Sequence, residues 1–216
     1  MKSFTGKYPA IWQIDVEVDA ASLLEEFLSV YADRYEKVYA KNDDWKGVTV
    51  FSKGSNLNLD EFPELKKLVG NFGEKNIVGI TYFNLAADST LHEHRDMNGN
   101  LLFGILRVHV PLKTNDQAFM FIEREKCHLP VGTAWILDTS GLHALANGAL
   151  GNRIHLVMDI KKGSKTLKHF PKYTASVVLH LLRFFFIVFS KVLRDIFANP
   201  KSLIKRFKDK VQEFIK

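Results

Sequence analysis

A single cysteine, Cys127, is all this chain contains, so no intramolecular disulfide can brace it, and a reducing, cytoplasmic setting is the simplest one. Lys2, Lys7, Asp15, Glu17 and Asp19 interrupt the start of the chain, which excludes the apolar stretch of an ordinary signal peptide. A bilayer-spanning helix needs about 20 predominantly apolar residues. In the most apolar region, Arg183 and Lys191 break any such run. No internal repeat is present. Acidic residues are scarce at one end: residues 161–216 hold 14 Lys+Arg against 3 Asp+Glu, a net +11, whereas residues 1–160 hold 16 against 21, a net −5. A basic tail beside an acidic body suggests peripheral contact with an anionic phospholipid surface on the inner face of a membrane, and nucleic acid fits less well. What is present is core material: 46% hydrophobic residues, 12% of the chain aromatic, enough to exclude disorder as the default.

Alternating residues predict a strand over 12–18, and Asp19 then caps a helical pattern through Leu23, Leu24, Phe27, Leu28 and Tyr31. A second strand is predicted over 47–51 and a short helix over 60–72, where Leu65, Leu68 and Val69 have helical spacing. From residue 77 onward the pattern turns to short β-rich runs at 77–84, 104–112, 118–123, 133–137 and 153–160. Several strands without long intervening helices predict an antiparallel sandwich or barrel, of which the jelly roll is one form. Pro171 marks a boundary between a domain over 1–170, with its N-terminal part at 1–76 and its core at 77–160, and a helical tail over 171–216. In that tail Asn199 and Pro200 split two helical stretches, Pro200 standing at a first helical turn.

His94 and Asp96 lie two residues apart, which on an extended strand places both side chains on one face. His143 follows the run 135–138, where a strand gives way to a loop, and can supply a third ligand. Two histidines and a carboxylate leave three open positions on an octahedral iron, enough for a bidentate 2-oxo acid and dioxygen. A closed, structural site would fill those positions with protein atoms. Ten residues beyond His143, strand alternation sends Arg153, His155 and Val157 to one face, where the guanidinium can bind a carboxylate bidentately. Arg107 and His109 likewise share a strand face, and inward-facing cations need an anion to be tolerated.

These residues stand within the runs His94-Arg95-Asp96, Arg107-Val108-His109-Val110-Pro111-Leu112, Trp135-Ile136-Leu137-Asp138, His143 with Asn147, and Arg153-Ile154-His155-Leu156. In their order and spacing they resemble the aspartyl/asparaginyl β-hydroxylase family of 2-oxoglutarate oxygenases, across roughly residues 77–160. The resemblance implies a mainly β, cupin-like jelly roll (double-stranded β-helix) with flanking helices. It also implies Fe(II) on His94 and His143, and 2-oxoglutarate held by Arg153 with help from Arg107 and His109. Some animal members lack the carboxylate ligand, whereas this chain has Asp96 at the matching place, which completes a triad. The implied chemistry is dioxygen-dependent decarboxylation of 2-oxoglutarate coupled to hydroxylation of an unactivated C–H bond.

Other readings of the same residues stay open. His92 can pair with His94 in place of Asp96, Asp138 and Asn147 can serve turns and loop backbone, and Arg107 can be an ion-pair partner. A non-catalytic jelly-roll module binding an anion, or a membrane-tethered scaffold, needs no intact triad. In the tail, Ser176, His180, Arg183, Ser190, Lys191 and Arg194 form one polar stripe on a Phe- and Leu-rich cylinder. A last helix sets Leu203, Ile204, Phe207, Val211, Phe214 and Ile215 against basic residues. Such helices lie in membrane interfaces or pack on a protein surface. The first alternative points to a lipid or lipid-linked substrate, the second to an amino acid or soluble peptide.

Overall fold

The structure is a computed structural model, and it describes residues 11–31, 36–39, 42–52, 59–96, 101–123, 125–170, 172 and 175–198. The chain divides into two compact units, Met1–Lys172 and Tyr173–Lys216. Among its described residues the first holds eleven strands: β1 (Ile11–Ile14), β2 (Glu36–Tyr39), β3 (Asn42–Ser52), β4 (Ile77–Leu85), β5 (Ser89–His94), β6 (Ile105–Lys113), β7 (Phe119–Ile122), β8 (Glu125–Cys127), β9 (Ala134–Leu137), β10 (His143–Asn147) and β11 (Arg153–Lys161). Two helices join them, α1 (Ala20–Tyr31) and α2 (Pro63–Gly70). A seven-stranded sheet runs β1-β9-β6-β11-β4-β3-β2, and a four-stranded sheet runs β5-β10-β7-β8. Every pairing is antiparallel. This is the expected jelly roll.

The inner faces of the two sheets meet in one apolar cluster. Ile11, Leu85, Trp135 and Leu137 enter it from the large sheet, and Leu91, Met120, Ile122, Cys127 and Leu145 from the small one. Burying each large apolar side chain contributes about 1.5–3 kcal/mol. That interlock, more than strand propensity, holds the layers in register. Cys127 is part of it, and burial raises its thiol pKa to about 11, which suits packing and not nucleophilic chemistry.

Helix α1 packs on the large sheet through Phe27, whose ring stacks on Tyr82 of β4 at 4.1 Å and 12°. Asp19 caps it: its carboxylate accepts the Ser22 amide at 3.0 Å and the Ser22 hydroxyl at 2.9 Å. Helix α2 begins at Pro63, where a missing N–H costs nothing. The Glu26 carboxylate of α1 accepts the Glu64 and Leu65 amides at 2.7 and 3.1 Å, so one helix caps the next. The second unit contains α3 (Ala175–Ala198), within which the Phe185 and Phe189 rings stack and the Ser190 hydroxyl donates to the Phe186 carbonyl. No described helix is long and apolar enough to cross a membrane. Pro171, the Asn199-Pro200 break and the last helix lie outside the described residues.

Three predicted boundaries shift clearly. The strand expected over 47–51 lengthens to Asn42–Ser52. The strand expected over 12–18 is Ile11–Ile14, because its partner β9 is only four residues long and Ile14 already sits opposite its first residue, Ala134. The helix expected over 60–72 is reduced to Pro63–Gly70. Strands β2, β8 and β10 were absent from the predicted set, and the extended strand assumed for His94 and Asp96 is β5, which ends at His94 before Asp96.

Candidate active site

His94 is the last residue of β5 and His143 the first of β10, and the two are direct cross-strand partners. Their ring centroids are 4.2 Å apart. Asp96 follows the end of β5, where its amide donates to the Thr139 carbonyl at 2.9 Å. Its carboxylate oxygens lie 3.8 Å from His94 Nε2 and 3.9 Å from His143 Nε2. One ligand atom from each of the three residues falls within 4.8 Å of the others, a spacing that a single ion can bridge.

The ring orientations favour such an ion. His94 Nδ1 lies 2.7 Å from the His92 carbonyl, and His143 Nδ1 lies 3.0 Å from the Gly141 carbonyl. A carbonyl only accepts, so Nδ1 carries the proton in both rings and each Nε2 presents its lone pair toward Asp96. Burial pushes the His143 pKa below the ordinary imidazole value, with the Gly141 carbonyl opposing the shift, and a neutral ring is the metal-binding form. His92 does not line the cavity; its backbone carbonyl orients His94.

The cavity beside this triad has a volume of about 260 Å³. That is near the lower end of the ~300–1,000 Å³ typical of small-molecule sites. The large sheet faces the triad across it with Arg107 and His109 from β6 and Arg153, His155 and Val157 from β11. The alternation inferred for both strands therefore holds. Trp45, Phe83, Leu91, Met120 and Leu145 supply apolar wall.

The two arginines differ. Arg107 is bidentate on Asp159, its cross-strand partner, at 2.8 and 2.9 Å, and its Nη1 also donates to Asp96. Burial opposes its charge, but Asp159 and then Asp96 outweigh burial and hold its pKa above the ordinary guanidinium value. This is the ion-pair arrangement that the sequence had left open for Arg107. Arg153 is only 4% exposed, and among the described residues no carboxylate pairs with it. Its Nη2 donates to His155 Nδ1 at 3.1 Å, and burial pushes its pKa down to about 9. A buried cation without a counter-charge is costly in isolation.

Nearby, both ring nitrogens of His109 and Nε2 of His155 are buried without a hydrogen-bond partner. Burial, and next the Arg153 charge, push both imidazoles well below their ordinary pKa, so they are neutral at pH 7. An arginine and two neutral histidines with unused polar atoms beside a small cavity have the chemistry to receive a compact anion.

Asp138 and Asn147 serve the backbone. Asp138 Oδ1 accepts both the amide and the hydroxyl of Ser140, while the Asn147 side-chain amide donates to the Leu85, Ala86 and Gly151 carbonyls. Sequence reasoning missed Asp159 as the Arg107 partner and Thr139, Trp45 and Phe83 as lining residues. The first was in principle readable, because a central strand carrying an aspartate beside inward arginines signals a pair.

The family model for aspartyl/asparaginyl beta-hydroxylase matches residues 12–163. No curated protein matches the chain. Among solved structures, a prolyl hydroxylase from Trichoplax adhaerens, in complex with a hypoxia inducible factor peptide fragment, is similar with a TM-score of 0.52. It shows 10% identity over 75% of this chain and 88% of that one. A 2OG-Fe(II) oxygenase family oxidoreductase from Burkholderia pseudomallei has a TM-score of 0.48, with 15% identity over 70% and 84% of the two chains. HygX from Streptomyces hygroscopicus, solved with nickel and 2-oxoglutarate, has a TM-score of 0.49, with 12% identity over 70% and 82%.

Proposed function

We propose that this chain, which belongs to the aspartyl/asparaginyl beta-hydroxylase family, is an Fe(II)- and 2-oxoglutarate-dependent dioxygenase hydroxylating an unactivated C–H bond. The observation that carries the reading is the pairing, across one cavity, of a His-Asp-His triad with a buried arginine that has no counter-charge among the described residues. A structural metal site has no need of that arginine, and a simple anion-binding module has no need of the triad.

In this reading His94, Asp96 and His143 hold the iron, and Arg153 holds the distal carboxylate of 2-oxoglutarate through charge-assisted hydrogen bonds. His109 and His155 bring unused polar atoms to the same anion. Arg107, already engaged by Asp159, orients the Asp96 carboxylate. When bound, the iron and cosubstrate together supply oxidising power that no side chain has, consuming dioxygen and releasing succinate and carbon dioxide. The protein orients the imidazoles, neutralises the cosubstrate and excludes water with its apolar wall.

For the substrate we infer an aliphatic segment. Trp45, Phe83, Leu91, Met120 and Leu145 offer it apolar contact, and the Trp45 and Phe83 rings stack at 5.2 Å. The basic excess of residues 161–216 and the polar stripe of α3 support delivery from an anionic membrane surface, which favours a lipid or lipid-linked molecule over a free amino acid. The test is succinate release from purified protein with Fe(II), ascorbate, 2-oxoglutarate and an extracted lipid pool, alongside mass spectrometry for a product heavier by one oxygen. No succinate above the His94→Ala background with any lipid, peptide or amino-acid pool overturns the assignment. Failure to sediment with phosphatidylglycerol vesicles removes the membrane part alone.

A further inference from the structure

The metal ligands sit on two segments far apart in sequence, residues 94–96 and the loop 138–142 that leads into His143. Something must hold these segments at ligand spacing before any ion arrives. Backbone pairing does part of it, through the Asp96 amide on the Thr139 carbonyl and the His94–His143 register. The remaining ties converge on two side chains outside the cavity lining.

Arg95 stands between the ligands His94 and Asp96. Its Nη1 donates to the Ser140 carbonyl at 2.6 Å and to Glu123 Oε1 at 3.2 Å. Glu123 follows β7, the strand flanking β10 on the side opposite β5. The same Oε1 accepts the Leu142 amide at 2.8 Å, while the Glu123 amide donates to the Leu142 carbonyl at 2.7 Å. Glu123 adopts a left-handed backbone, φ 46°, uncommon for a residue with a side chain, and that conformation accompanies the turn of its carboxylate back over the loop. Gly141 leaves room: a Cβ there would meet Glu123 Oε1 at 3.2 Å, Glu123 Cγ at 3.3 Å and the Asp138 carbonyl at 3.3 Å. The Gly141 carbonyl is the group that orients the His143 ring.

We propose that Arg95 and Glu123 are positioning residues forming a clasp over the 138–142 loop, which presets His143 against His94 and Asp96 and thereby governs metal affinity. The proposal rests on the metal-site reading above. The clasp lies outside the cavity and should leave cosubstrate binding alone, a split that a general loss of structure does not produce.

The experiment measures Mn(II) binding to metal-stripped full-length protein by calorimetry, without turnover, for the parent, Glu123→Ala and Glu123→Gln. Loss of partners outside the ligand set typically weakens a metal by about 10–100-fold, and that is expected for Glu123→Ala. Glu123→Gln keeps an acceptor for the Leu142 amide and recovers most of the loss. At saturating Mn(II), the Kd for 2-oxoglutarate, read in the same calorimeter, stays within about two-fold of the parent. Leu68→Ala, in the buried face of α2, serves as a control that lowers stability away from the site. Parent-like Mn(II) affinity in Glu123→Ala overturns the clasp, as does an equal loss in Leu68→Ala. A parent that binds no Mn(II) at all removes both the clasp and the metal reading beneath it, so the two failures are told apart.

Discussion

Replacing Arg153 by Met separates stability from function in a way few substitutions can. The guanidinium is buried, His155 is its hydrogen-bond partner among the described residues, and its pKa is driven down to about 9. A depression of that size below the ordinary arginine value corresponds to about 5 kcal/mol, at ~1.36 kcal/mol per pH unit, held against the empty protein. Water in the cavity returns some of it, so relief of a third, about 1.5 kcal/mol, is the conservative figure for Arg153→Met. In a domain of this size that raises Tm by about 3–6 °C. On the proposed role of Arg153, the same substitution also removes two charge-assisted hydrogen bonds to the cosubstrate, each worth about 1.5–3 kcal/mol, and weakens 2-oxoglutarate by about two to four orders of magnitude. Thermal melts with and without 2-oxoglutarate and Mn(II) read both effects at once. The variant melts higher than the parent when empty and gains nothing on adding 2-oxoglutarate. A lower melting point for the empty variant, or a ligand-induced shift that survives, refutes the reasoning.

His94→Ala and His143→Ala each abolish stoichiometric Mn(II) binding in calorimetry, and parent-like binding in either removes that residue from the site. Asp159→Asn strips Arg107 of its bidentate partner. Breaking a buried pair costs ~3–5 kcal/mol, but these side chains are 19% and 22% exposed, so about 2 kcal/mol is expected, measured as a shift in urea midpoint. An unshifted midpoint shows that the pair contributes nothing net. His109 and His155 have depressed pKa values, so the folded chain refuses protons that the unfolded chain accepts. Stability is therefore lost as pH falls below about 6.5, by up to ~1.4 kcal/mol per pH unit for each ring. His155→Gln flattens that slope in denaturation curves, and an unchanged slope contradicts a buried neutral ring.

Much of the site could be read from the chain because it depends on local alternation. Arg153, His155 and Val157 face one way whatever the fold, and the structure needed only to choose which way was inward. The shared inward face of these groups followed from that. The extent of β5 and the whole of β10 escaped notice since Ser89–His94 is polar and partly exposed, and His143–Asn147 is five residues with small alanines. Their strand character comes from pairing with each other, a partner 50 residues away by register and invisible to any window. Glu123 offered no signal for the same reason: its contact with Arg95 spans 28 positions and exists only because β10 lies between β5 and β7. Arg107 was ambiguous in sequence because an inward cation is compatible with a bound anion or a neighbouring carboxylate, and only the β6–β11 register sets Asp159 opposite it.

His94 and His143 belong to the small sheet, and Arg153, His155 and His109 to the large one. In the proposed reading, a keto diacid gripped at both ends would act as a tie-rod between the two leaves of the sandwich, and the gap between the leaves would work as a caliper on its length. Substitutions among the interlocking side chains Leu85, Leu91 and Leu145, none of them polar, can therefore retune which diacid is accepted while leaving every gripping atom in place.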